Sequence, residues 1–193
     1  MIDNSRQGYM TPETKDLYRQ GTPVLMKDGQ TISQPFVGWM INNLDIQPDR
    51  VKEIGSGTCR ALSQILQLVP DFVTVERNKA MFDLKENIQK NFLPSNLELI
   101  HGDGLAHQGQ GLYNKVMMSA AFSPQQQDRR ALSKQLVPAQ VLYPHFTHRV
   151  GSSYFCHLLL STKDANNRHS ENLGACNFVP LVSEGRGPDG KAE

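Results

Sequence analysis

The stretch Val51-Lys52-Glu53-Ile54-Gly55-Ser56-Gly57 decides the fold of this 193-residue chain. A short strand ends in an acid and a glycine turn. A helical pattern follows over Ala61 to Val69, with Leu62, Ile65, Leu66 and Leu68 on its apolar side, and Pro70 stops it. A second apolar run, Phe72 to Val75, then ends in Glu76, about twenty residues beyond the turn. That order lets backbone approach a ligand at the glycines and sets a carboxylate where ribose hydroxyls would lie.

Two cofactor classes use this layout. Dinucleotides want G-x-G-x-x-G, because a pyrophosphate sits on the helix N-terminus. Here the sixth position is Arg60. Glu53, two residues before the first glycine, would repel a pyrophosphate and attract the positively charged aminoacyl part of S-adenosylmethionine. The residues therefore favour S-adenosylmethionine over a nicotinamide cofactor. G-x-G alone also fits a plain strand-to-helix turn; Glu53 and Glu76 at this spacing favour a ligand.

Outward from this unit the alternation continues. Phe36, Val37, Met40, Ile41 and Leu44 repeat at helical spacing, with Pro35 in the first turn and Ser33 at the N-cap. Lys79 to Asn91 predicts a helix, and Leu97 to Ile100 a third strand running into His101-Gly102-Asp103-Gly104. Lys115 to Ser119 predicts a fourth strand, Asp128 to Leu136 a helix and Val141 to Tyr143 a fifth strand. Ser153 to Ser161 and Asn177 to Val182 predict an antiparallel pair at the end of the sheet. The fold class is thus α/β: a doubly wound, Rossmann-like, mostly parallel sheet with an antiparallel C-terminal strand pair. Gly55, Glu76, Asp103 and Ser119 all fall at or after strand ends, where such sheets bind ligands.

Composition bounds the rest. The chain suits one domain with a sizeable core. Residues 1–21 form a polar arm with one short helix near Glu13 to Arg19, residues 22–183 the domain, and residues 184–193 a charged, glycine-rich tail expected to be mobile. Twenty basic and nineteen acidic side chains are mixed along the chain, giving a net charge of +1. No basic stripe points to nucleic acid, and no apolar run approaches membrane-spanning length. The N-terminus has no signal-peptide core, and Cys59, Cys156 and Cys176 lack C-x-x-C spacing. Reduced thiols and a cytoplasmic location are expected, with Cys156 and Cys176 in the core. The six histidines show no ligand spacing, so no metal is expected. No heptad or long apolar stripe calls for an obligate partner, and a monomer is expected.

Several segments together resemble the protein-L-isoaspartate O-methyltransferase family of class I S-adenosylmethionine-dependent methyltransferases. They are Gly29-Gln30-Thr31-Ile32-Ser33-Gln34-Pro35, Val51 to Gly57, Val75-Glu76-Arg77, His101 to Gly104, and Asn177-Phe178-Val179-Pro180-Leu181-Val182. The resemblance runs from about residue 22 to 183. It implies methylation of the α-carboxylate that L-isoaspartyl residues expose in damaged proteins, the ester then closing to a succinimide that can open to normal aspartate. It implies Ser33 as the active-site residue, with Gln30, Thr31 and Ile32 flanking the cofactor. Glu53, Gly55, Ser56 and Gly57 hold its methionine part, Glu76 with Arg77 takes the ribose side, and Asp103 with Gly104 the adenine edge. The carboxylate nucleophile is ionised at neutral pH and needs no general base. What remains is alignment, to which a Ser33 hydroxyl can contribute one hydrogen bond. Without the resemblance, Ser33 reads as an N-cap and Asp103-Gly104 as a turn.

This chain departs from the family pattern at several points. Cys59 replaces a third glycine, Arg60 an aromatic and Asn114 an aspartate; Ala139-Gln140 replaces a glycine pair, and Phe122 stands where alanine is common. The N-terminal arm is also shorter. Two alternatives follow: a methyltransferase of the same fold acting on a different protein carboxylate, or a catalytically impaired cofactor-binding homologue.

Overall fold

The computed structural model describes residues 25–26, 29–30, 34–47, 50–57, 65–66, 68–69, 71–83, 97–107, 112–121, 132, 134–151, 153–163 and 168–182. A two-stranded antiparallel ribbon, β1 (Leu25–Met26) and β2 (Gly29–Gln30), precedes helix α1 (Gln34–Leu44). Pro35 lies in the first turn of α1, as its sequence predicts, since a helix start needs no N–H there. Asp45, at φ 45°, ends the helix in the left-handed conformation, its N–H donating to Asn42 O.

The main sheet has seven strands: β3 (Arg50–Ile54), β4 (Asp71–Glu76), β5 (Leu97–His101), β6 (Tyr113–Met118), β7 (Leu136–Val150), β8 (Ser153–Lys163) and β9 (Arg168–Cys176). Their order is β5-β4-β3-β6-β7-β8-β9. Strands β3 to β7 are parallel; β8 and β9 run antiparallel to their neighbours. The mostly parallel sheet with an antiparallel end is the one the sequence predicts. Strands β3 and β4 are buried almost throughout, as strands covered on both faces must be.

Alternation along the strands builds two cores. Val51, Phe72, Leu97, Met117 and Leu142 pack with Val37, Met40, Ile41 and Leu44 of α1 on one face. Ile54, Val73, Val75, Val116, Met118 and Val141 pack on the other, with Leu105 and Leu132. The chain leaves β3 toward β4 on one side and has β6 on the other. The order therefore reverses at β3, and such a switch point leaves a crevice beyond the carboxyl ends of the strands.

Two expectations about the end of the sheet need correction. Asn177 to Val182 is not the partner of β8. The partner is the polar run Arg168–Cys176, an edge strand whose solvent side needs no apolar residues. Residues 177–182 instead cross back to the end of β6. There Ala121 N–H donates to Val179 O at 2.8 Å and Leu181 N–H to Ala121 O at 2.7 Å. Strand β7 also starts at Leu136, earlier than Val141. Ala139 and Gln140 are strand residues paired with Lys163 and Thr162, and Lys115 donates to the Gln140 side chain. No glycine interrupts the strand there.

Candidate active site

The glycine turn after β3 takes backbone angles that favour glycine: φ is +82° at Gly55 and +48° at Gly57. Gly55 N–H donates to Val75 O at 2.9 Å, and Ser119 N–H donates to Ile54 O at 3.0 Å. The turn is thereby bonded to the strand ends on both sides. Ser56 is buried within it.

Glu76 closes β4 and is 9% exposed. Its Oε2 accepts the Gly57 N–H at 3.0 Å and its Oε1 the Asn78 N–H at 2.9 Å. These two bonds fix the orientation of both carboxylate oxygens. Asn78 in turn caps the helix that begins at Lys79, its side-chain oxygen accepting the Ala80 and Met81 N–H groups. Arg77 is exposed, and its carbonyl is 3.1 Å from His101 Nε2. Glu53 is fully buried, and Thr74 beside it in the sheet donates its hydroxyl to Glu53 Oε2 at 2.8 Å.

Asp103 follows β5. Its carboxylate accepts the Leu105 N–H at 2.8 Å and its carbonyl accepts the His107 N–H at 2.9 Å, folding residues 103–107 into a turn. Gly104 is held against β3 so closely that a Cβ there would lie 2.5 Å from Ile54 Cγ2. Glu53, Gly55, Ser56, Gly57, Glu76, Arg77, Asp103 and Gly104 thus all stand at the carboxyl ends of three adjacent strands. Ser119, at the end of β6, joins them; its Oγ is buried and meets no hydrogen-bond partner among the described residues. Thr31, Ile32 and Ser33 lie outside the described residues, as do Cys59, Arg60 and Phe122. Gln30 is placed only as a backbone residue of β2.

Sequence reading missed the support beneath this edge. Lys52 is fully buried and donates to Gly104 O at 2.7 Å, to His107 O at 2.7 Å and to the Gln135 side-chain oxygen. Burial pushes its pKa down to about 7, against the opposing pull of Asp103. His107 is also lowered, by desolvation and then by the Lys52 charge, with Glu98 opposing. One signal was available: in Val51-Lys52-Glu53-Ile54, alternation puts Lys52 on the same inward side as Ile54. Cys156 is buried as expected, whereas Cys176 is only half-buried. Among the described residues no group of acids, histidines and cysteines could hold a metal.

The protein-L-isoaspartate(D-aspartate) O-methyltransferase family model matches residues 1–186. The chain belongs to that family. It is 32% identical over 187 residues to protein-L-isoaspartate O-methyltransferase of Shewanella pealeana, covering 95% of this chain and 84% of that protein. It is 36% identical over 121 residues to protein-L-isoaspartate O-methyltransferase 2 of Rhodopseudomonas palustris, covering 61% of this chain and 56% of that protein. A solved structure of a protein-L-isoaspartate O-methyltransferase superposes with a TM-score of 0.74 at 13% identity, covering 94% of this chain and 59% of the other. By family this is an S-adenosylmethionine-dependent protein carboxyl methyltransferase on a Rossmann-like class I fold.

The residues present fit that cofactor. Glu53, Glu76 and Asp103 make an acidic set around a glycine turn, suited to a ligand carrying hydroxyls, an amine and positive charge, and opposed to a pyrophosphate.

Proposed function

We propose that this chain methylates the α-carboxylate exposed by L-isoaspartyl residues in damaged proteins. The observation that carries the proposal is the family match over nearly the whole chain, joined to the acidic, glycine-lined edge at the switch point. The cofactor, when bound, supplies a methyl group already activated on a sulfonium. Everything else is alignment and exclusion of water.

In this reading Glu53, Gly55, Ser56 and Gly57 surround the methionine part. Glu53 opposes the positive end with a carboxylate oriented by Thr74. Glu76, oriented by the Gly57 and Asn78 N–H groups, accepts ribose hydroxyls, with Arg77 beside it. Asp103 and Gly104 meet the adenine edge. Gln30, Thr31 and Ile32 flank the cofactor from the N-terminal side. Ser33 donates a hydrogen bond to the substrate carboxylate and steers one oxygen toward the reacting carbon. No residue has to remove a proton, because the carboxylate is ionised above about pH 5. The partners are isoaspartyl-bearing proteins met in the cytoplasm by a single copy of the chain. Among the described residues no helix is long and apolar enough to cross a membrane.

The test is transfer of label from radiolabelled S-adenosylmethionine to an isoaspartyl peptide, with the normal aspartyl peptide as control. Transfer to the isoaspartyl peptide alone is expected. Label reaching lysate proteins but not that peptide would favour another carboxylate; binding without transfer to either would favour an impaired homologue. Ser33→Ala should lower turnover more than it weakens cofactor binding.

A further inference from the structure

We infer that Lys52 is a positioning residue: with Gln135 it clamps the Asp103–His107 turn to β3 in the shape that presents Asp103 and Gly104 to adenine. The inference rests on the cofactor reading above and adds two residues to it. Neither touches the crevice; both are fully buried beneath it.

The clamp is a matched set of donors and acceptors. Lys52 Nζ reaches two carbonyls of the turn, Gly104 O and His107 O, each at 2.7 Å, and the Gln135 oxygen. Gln135 Nε2 donates to Leu105 O at 2.8 Å, between those two carbonyls in sequence. The Gln135 carbonyl accepts Tyr113 N–H at 2.9 Å, which ties it to β6. The carbonyls of Gly104, Leu105 and His107 are therefore all held from below by two side chains. Three acceptors around one nitrogen require three donors, and only the ammonium form of lysine has three. A neutral amine would turn a lone pair toward one carbonyl and release it.

Burying a cation on carbonyls is costly, and a methionine would fill the space without that cost. What methionine cannot do is hold the turn. The titratable groups around Lys52 are Asp103 and His107 on the turn and Tyr113 on β6, whose ring centroid is 5.4 Å from Nζ. Glu98 of β5 acts on His107 and Tyr113, and Arg50 of β3 acts on Tyr113. With its pKa near 7, Lys52 changes charge across the range in which the enzyme would be assayed.

The test is calorimetric titration of the full chain and of Lys52→Met with S-adenosylhomocysteine and with 5′-methylthioadenosine, which lacks the aminoacyl part. Amide exchange at Leu105 and His107 is followed in parallel, and denaturation confirms that the variant is folded. Near pH 6.5, Lys52→Met should bind both ligands about tenfold more weakly, by the same factor, and exchange faster at both amides. For 5′-methylthioadenosine, which has no amine to titrate in this range, the unaltered protein should lose affinity toward the variant's value as pH rises to about 9, while the variant's affinity stays flat. Equal affinity of the two proteins would overturn the inference while leaving the cofactor reading intact. So would a loss confined to S-adenosylhomocysteine, or faster exchange without weaker binding. No binding of either ligand by the unaltered protein would overturn both.

Discussion

Gly104→Ala sets two physical effects of opposite sign against each other. Gly104 does not need a left-handed backbone, so an alanine there carries no conformational penalty. Where a site has room, replacing glycine by alanine stabilises by about 0.4–1 kcal/mol through the unfolded chain. Here the added Cβ would lie 2.5, 2.9 and 3.2 Å from Ile54 Cγ2, Cγ1 and Cβ. Ile54 is 2% exposed on a strand bonded to neighbours on both sides, so it cannot step back. Restoring an ordinary separation of about 3.8 Å moves the turn outward by more than an ångström. That takes Gly104 O, now 2.7 Å from Lys52 Nζ, out of hydrogen-bond range. Overpacking of this kind costs about 1–3 kcal/mol and outweighs the entropic gain. Net of that gain at most about 2.6 kcal/mol remains, and for a domain of this length the melting temperature should fall by up to about 10 °C. Affinity for S-adenosylhomocysteine should fall about tenfold through the lost hydrogen bond to a charged donor. Thermal denaturation and calorimetry on Gly104→Ala, Ile54→Ala and the double variant make the assay. In the Ile54→Ala background two of the three close contacts are gone, so the second substitution should cost less than it does alone. A Gly104→Ala protein as stable as its parent, or strictly additive losses in the double variant, would refute the steric argument.

Three further outcomes follow from the same geometry. Glu76→Gln keeps one acceptor oxygen but turns an amide N–H₂ toward a backbone N–H, so stability should fall by about 1.5–3 kcal/mol in urea titrations and cofactor affinity with it. An unchanged denaturation midpoint would contradict the hydrogen bonds to Gly57 and Asn78. Lys52, at about 7 when folded and near 10.5 when unfolded, binds its proton more tightly in the unfolded chain, so stability should rise with pH above 7, by at most about 1.4 kcal/mol per pH unit. Above about 9 the rise should give way to a fall, because desolvation raises the thiols of Cys156 and Cys176 and the Tyr113 hydroxyl, and there the unfolded chain loses these protons first. Lys52→Met should remove the rise between 7 and 9; a rise that persists would refute the assignment. Cys176, pushed up to about 12 by burial with the neighbouring Cys156 adding to it, carries thiolate at pH 8 in only about one molecule in ten thousand. Peptide mass spectrometry should find it alkylated by iodoacetamide far more slowly than free glutathione until urea is added; an equal rate would count against the burial.

The parallel half of the sheet was legible because its strands read as short apolar runs, most fully at β3 and β4, which are buried on both faces. Phe72 to Val75 and Leu97 to Ile100 fall within β4 and β5 almost to the residue. The acids were legible from their place beside those runs: Glu76 ends one, and Asp103 follows the other after His101-Gly102. β9 was not legible, because an edge strand with Arg168, His169, Ser170, Glu171 and Asn172 in succession has no apolar pattern to find. The more hydrophobic Asn177 to Val182 drew the prediction instead, and its apolar residues serve a different contact. Phe178 packs into the α1 core and Leu181 into the opposite one.

The clamp was illegible for a deeper reason. Lys52 is 52 residues from Gly104 and 83 from Gln135, so nothing local marks the three as one unit. Each has a bland local reading: a lysine in a strand, a glycine in a D-G turn, a glutamine near the end of a predicted helix, where the structure has the turn that leads into β7. Only the sheet order unites them, by setting β3 between β4 and β6 so that the turn after β5 folds over its face. The same order explains why Glu76 can be shaped before any ligand arrives. Its two backbone partners come from the turn after β3 and from the start of the helix after β4, elements that meet only at this edge. In the proposed cofactor reading, a carboxylate already oriented by two N–H groups has little left to reorganise when a ribose binds, which lowers the cost of binding. On the proposed reading the acids at the strand ends select the ligand class, while the buried residues beneath them decide how firmly the crevice keeps its shape.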